Sequence, residues 1–191
     1  GYLVRHGKGK KIAKVATLGT PFRGSFEAIV KIATGTANLG TTAPSSRERE
    51  AARITPSLYH LLPSCEGVTV PKGMAADIFD PGIWQPSVLE TLREYIRLNG
   101  VSDKDPAIQA AGLFAALLGD AAKHRKEIDG LQLATAGLTP GDWLCVAGVD
   151  AVTRVGTDVK KDPSGKVYFN FNEGDRSNQW KKGKNVKERF L

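Results

Sequence analysis

Few residues in this 191-residue chain have obvious chemical potential, and they are widely spread. In Lys14-Val15-Ala16-Thr17-Leu18-Gly19-Thr20-Pro21-Phe22-Arg23-Gly24-Ser25 an apolar run breaks into a Gly/Pro turn that ends on a hydroxyl. Open α/β sheets form ligand crevices at the carboxyl ends of their strands, so Thr20 and Pro21 mark a candidate site, although a strand-to-helix connection alone needs the same residues. A second place is Glu173-Gly174-Asp175, directly after the alternating stretch 166–172. A carboxylate there either acts on a partner group or bonds its own backbone in an ordinary turn.

All three histidines precede Asp175, and their surroundings favour structural or solvated roles. His6 stands among Gly7, Lys8, Gly9 and Lys10, and His60 lies in a helix between Pro56 and Pro63. His124 belongs to a basic helix end with Lys123, Arg125 and Lys126, where a cation suits the dipole. Cys65 and Cys145 form neither a C-x-x-C pair nor a metal-ligand spacing, so no metal and no cofactor is assigned. Cys145 sits in the apolar run Trp143–Ala147, where a free thiol behaves as a small hydrophobe.

The elements that position these residues follow from periodicity. Ile12, Val15, Ala16 and Leu18 read as a short strand covered on both faces. Ser25 is placed to cap a helix over Phe26 to Ala33, with Glu27 in its first turn. Gly35 to Arg49 reads as a mobile loop leading into a helix from about Arg47 that breaks near Pro56. Pro86 to Asn99 has amphipathic spacing, and Asp105-Pro106 opens a longer helix with Ile108, Ala111, Phe114 or Ala115, Leu118 and Ala122 on one face. Trp143 to Val149 reads as a buried strand and Val152 to Val159 as a weaker one, with 162–165 turning into Val167–Phe171.

Thr17 to Ser25 resembles the "LGTP-x-x-GS" segment of α/β-hydrolase lipases, in particular of the lecithin:cholesterol acyltransferase-like family. Further pieces follow in that family's order. Arg53 to Pro63 is similar to its "R-x-x-PS-x-Y-x-LLP" helix, Asp80 to Trp84 to the aromatic segment after it, and Val146 to Thr153 to the late strand ending in "G-x-x-x-x-T". The opening Gly1-Tyr2-Leu3-Val4-Arg5 is similar to the start of the helix after the nucleophile elbow.

The resemblance implies an incomplete α/β-hydrolase fold over residues 1–191, a mainly parallel sheet flanked by helices, with residues of about 65–140 as a helical cap insertion. It implies that the nucleophilic serine lies two residues before Gly1 and the catalytic histidine beyond Leu191, in keeping with the triad order Ser, acid, His. Asp175 is then the triad acid, in a turn similar to the family's "GD-G-T-V". Here Arg176-Ser177-Asn178 departs from Gly-Thr-Val. Thr20, Pro21 and Trp84 line the implied site for an acyl ester or lipid substrate. The implied activity is O-acyl transfer or ester hydrolysis. The alternative is a catalytically inactive relative that uses the same fold to bind lipid or protein.

Composition narrows the choice further. The formal net charge of +7 comes from 27 Lys and Arg against 20 Asp and Glu, with clusters at Lys8 to Lys14 and Lys181 to Arg189. Those clusters read as solvated surface or as contacts for anionic lipid headgroups. They lack interleaved aromatic residues and any zinc-finger or helix-turn-helix spacing, so no nucleic-acid partner is expected. No apolar run is long enough to span a bilayer, since even Ala107 to Ala122 contains Gln109, Gly112 and Asp120. No transmembrane segment is expected.

Overall fold

The computed structural model describes residues 6, 8–34, 46–64, 66–99, 105–147 and 156–170, and Cys65, Asp175 and most of the expected 35–49 loop lie outside them. The chain is of the mixed α/β class, with helices and, among the described residues, two small sheets. Strand β1 (Val15–Leu18) leads to helix α1 (Phe26–Ala33), where the Ser25 hydroxyl caps the Glu27 amide at 3.2 Å. Phe26, Ile29, Val30 and Ile32 are all buried, so α1 runs through the core rather than along its surface. Helices α2 (Ser46–Arg53) and α3 (Pro56–Tyr59) follow, with Pro56 opening α3 where its missing N–H costs no helical bond.

Two longer helices carry the other wall. In α4 (Ser87–Asn99) the buried residues Val88, Leu92 and Ile96 recur every four positions. In α5 (Pro106–Asp129) Asp105 caps the Ala107 amide at 2.8 Å. Its buried stripe is Ala110, Phe114, Leu118, Ala121 and Arg125. The expected stripe is therefore corrected: Phe114 and Leu118 belong to it, whereas Ile108 is 72% exposed and Ala111 and Ala115 also face outward. In an alanine-rich helix several faces look equally apolar, and packing against α4 selects one. Among the described residues no helix is long and apolar enough to cross a membrane.

Strand β1 pairs in parallel with β3 (Trp143–Val146), Val15 opposite Trp143 and Leu18 opposite Val146. The second sheet has the order β2 (Val68–Thr69), β4 (Thr157–Lys161), β5 (Val167–Asn170), parallel at its first pairing and antiparallel at its second. Asp162 closes the β4–β5 turn by accepting the Ser164 and Lys166 amides at 2.8 and 2.9 Å.

Two expectations are corrected here. The described strands do not form one mainly parallel sheet, because β2 is only two residues long and connects to neither β1 nor β3. Nor are β1 and β3 buried. Leu18 is 74% exposed, Leu144 is 60% exposed, and Cys145 is exposed as well. The physical reason is that the apolar core gathers around α1, α4, α5 and the β4–β5 hairpin, and neither β1 nor β3 contributes a residue to it.

Arg53 ties the helices together, and among the described residues it has no carboxylate within ion-pair distance. Its Nε donates to Ile32 O at 2.9 Å and its Nη2 to Ala33 O at 3.2 Å, covering carbonyls that the end of α1 leaves open. Nη1 donates to Ser87 O at 2.7 Å and to the Thr91 hydroxyl at 2.9 Å, and Nη2 also reaches the Ser87 hydroxyl at 3.0 Å. Burial, then the nearby Arg49, lowers its pKa to about 10, so it keeps its charge at neutral pH. Tyr59 joins this network by donating its hydroxyl to Arg53 O at 2.8 Å, and burial pushes its phenol well above the ordinary value.

Candidate functional site

The Gly/Pro turn is positioned by hydrogen bonds from three directions, two from backbone and one from a side chain. At the carboxyl end of β1, Gly19 takes φ 58° and its amide extends the ladder to Val146 O at 2.8 Å. The turn then closes on itself through Gly24 N to Pro21 O at 2.9 Å. On its second side it zips to the segment after α3: Ser25 N donates to Leu61 O at 2.7 Å, and Ser64 N to Arg23 O at 3.0 Å. On its third side the Arg125 Nη1 donates to Phe22 O at 2.9 Å. The Phe22 ring lies 5.8 Å from that of Trp143 at the start of β3. Thr20 and Pro21, the expected binding residues, stay exposed on the outer rim.

Gly24 cannot be another residue in this arrangement. Its φ is 83°, and a Cβ built on it would overlap Leu62 O and come within 2.7 Å of Pro63 Cα. The Gly24 backbone is thus pressed directly against the segment that follows α3.

That same segment carries a cluster of titratable groups. His60 Nε2 lies 2.7 Å from Asp120 Oδ2, and the His60 ring stacks on that of His124 with centroids 4.5 Å apart and planes 19° apart. Asp120 and His124 are four residues apart on α5 and share a face. The hydrogen bond to His60 holds the Asp120 carboxyl below its ordinary pKa. Partial burial, then the neighbouring His60 and Arg125, lowers that of His124. Among the described residues no group of three His, Cys, Asp or Glu could hold a metal ion. Stacked imidazoles send their in-plane lone pairs outward side by side, not toward a common point.

The remaining expected residues fall elsewhere. Trp84 is 3% exposed and lies in the core, edge-on to Phe114 at 6.1 Å and Phe169 at 4.8 Å, with its indole N–H on Ile78 O at 2.9 Å. In this position it joins the β4–β5 hairpin to α5 and is not brought together with Thr20 and Pro21. Asp175 follows β5 in sequence outside the described residues. Arg125, absent from the expected site residues, is 6% exposed and reaches the turn across 103 positions of sequence. Its place beside Lys123 and Lys126 gives no local sign of that contact.

Comparison with protein-family models, with curated proteins and with solved structures gave no match to this chain.

Proposed function

We propose that this chain is the acid-bearing part of a serine acyl-transfer enzyme with an α/β-hydrolase fold. The observation that carries the reading is the parallel pairing of β1 with β3. Because the two strands run the same way in register, they end on one side, and the 19–25 turn leaves from that side with Thr20 and Pro21 exposed. Crevices for ligands lie at such ends.

In this reading a serine two residues before Gly1 attacks the carbonyl carbon of an acyl ester. A histidine beyond Leu191 takes the serine proton and then delivers it to the departing alkoxide. Asp175 holds that histidine in the productive orientation and stabilises its charged form. Backbone N–H groups near the nucleophile elbow receive the oxyanion. The acyl-enzyme is then resolved by water or by a second alcohol, which separates a lipase from an O-acyltransferase. Helices α4 and α5 fall within the 65–140 insertion and act in this reading as part of a cap over the acyl chain.

The experiment compares residues 1–191 with the same chain carried in a longer protein that includes the elbow serine and the downstream histidine. With a nitrophenyl ester, the shorter chain is expected to show no turnover. The longer one is expected to turn over, to lose that activity to a serine-directed fluorophosphonate, and to lose it on Asp175→Asn. Turnover by residues 1–191 alone, or an Asp175→Asn variant of normal rate, overturns the proposal. A longer protein that binds lipid but lacks turnover favours the inactive binding module, for which the Arg176-Ser177-Asn178 departure speaks.

A further inference from the structure

The two stacked histidines have no part in the acyl-transfer reading, yet they occupy the joint between α5 and the segment that supports the 19–25 turn. His60 ends α3, and the chain then runs directly through Leu61 and Ser64, the two residues that bond the turn. His124 precedes Arg125, whose guanidinium bonds the turn at Phe22. The ring stack and the His60–Asp120 bond therefore join the two supports of one loop.

From this geometry we infer that His60, His124 and Asp120 form an acid-sensitive latch, closed while the imidazole stack carries at most one proton and strained open when both rings are protonated. One imidazolium at position 60 has the Asp120 carboxylate 2.7 Å away as its counter-ion. A second at position 124 faces the first across 4.5 Å, with Arg125 adding to the repulsion. Lys123, next along the helix, adds positive charge beside Asp120, and Glu127 and Asp120 act against the repulsion at His124. Among the described residues the Asp120 carboxylate bonds the His60 ring alone, so a cation at position 124 lacks a bonded counter-ion of its own. Burial of the His124 ring acts in the same direction, since it penalises the charged form.

The consequence is a loop whose support depends on pH. Below the pH at which the second proton binds, the end of α5 and the 60–64 segment separate, and the Ser25 N–Leu61 O and Ser64 N–Arg23 O bonds lose their backing. The inference is independent of any acyl-transfer chemistry, because no nucleophile or substrate takes part in it.

The test uses residues 1–191, isotopically labelled, and two readouts. The first follows the His60 and His124 ring resonances from about pH 8 to about pH 5, where His124 is expected to titrate below the ordinary histidine value of about 6.5. The second measures hydrogen exchange of the Ser25 and Ser64 amides, corrected for the intrinsic effect of pH, and expects a loss of protection of about tenfold on going to about pH 5. His124→Phe keeps an aromatic ring in the stack without the proton and is expected to abolish that loss. Asp120→Asn removes the counter-ion and is expected to move the loss to higher pH. The inference is overturned by His124 titrating at or above the ordinary value, by equal protection at both pH values, or by a folded His124→Phe variant that loses protection as before. If His124→Phe does not fold, the unsubstituted chain's titration and exchange decide the question alone.

Discussion

Gly24 meets the backbone of Leu62 so closely that its missing side chain is part of the contact. Gly19, five residues earlier, also has positive φ, but an added Cβ there meets nothing within 4 Å. The two glycines of one turn thus answer different demands, one conformational and steric, the other conformational alone.

Gly24→Ala is expected to cost about 2 kcal/mol or more, because strain at positive φ adds to displacement of the Leu62–Pro63 backbone. Gly19→Ala should cost only about 1 kcal/mol, the left-handed penalty alone. Urea unfolding of both variants checks the order. Equal losses would show that the 62–63 segment yields without effort.

Arg53 makes five side-chain hydrogen bonds to neutral acceptors, so its replacement takes the side-chain donor from Ile32 O and one of the donors from Ala33 O and Ser87 O, which Gln85 and Thr91 also reach. Arg53→Met is expected to destabilise by about 3 kcal/mol or more. Arg53→Lys should recover little, since one ammonium cannot span the acceptors of a planar fork. Thermal unfolding measures both, and full recovery by lysine would mean that charge rather than geometry matters at this position.

Trp84 distinguishes a packing role from a role in ligand contact. Trp84→Ala is expected to cost about 3–5 kcal/mol through loss of its contacts with Phe114 and Phe169. Trp84→Phe keeps a ring but leaves Ile78 O without its indole donor, for about 1–2 kcal/mol. A stability unchanged by Trp84→Ala would show that this side chain does not hold the core.

Acid should weaken the fold in two stages. The His124 pKa is lowered from 6.5, so the unfolded chain binds the proton first and stability declines as the pH drops below about 6.5. Asp142 and Asp162 have carboxyls held below 3.8, the first by the Thr139 amide and hydroxyl, the second mainly by the Ser164 hydroxyl. Their stabilisation is present above 3.8 and is lost as the pH falls through their lowered folded values. Urea midpoints measured against pH check the pattern, and His124→Phe should remove the first stage while leaving the second.

Much of this organisation is legible where local chemistry decides it. Ser25 and Glu27 mark the start of α1, and Asp105-Pro106 marks that of α5, because capping depends on neighbours in sequence. Strands β1, β3 and β5 fall where short apolar or alternating runs meet turn residues. The candidate turn is equally plain from Gly19, Pro21 and Gly24. What could not be read is set by distant partners. The buried face of α5 depends on α4, the division into two sheets depends on which edges meet, and the reach of Arg125 to Phe22 has no local sign. Arg53 was visible as part of a motif, but its task of closing the end of α1 belongs to three-dimensional geometry.

The bare ribbon of β1 and β3 has a bearing on how residues 1–191 behave in solution. Among the described residues no further strand pairs with its outer margins, and Leu18, Leu144 and Val146 supply a greasy surface beside them. Such a margin is a template for another strand, and like-charge repulsion from a net +7 opposes that pairing less as salt screens it. Leu18→Lys and Leu144→Lys are therefore expected to raise solubility while leaving the core unaltered, which light scattering and urea midpoints check.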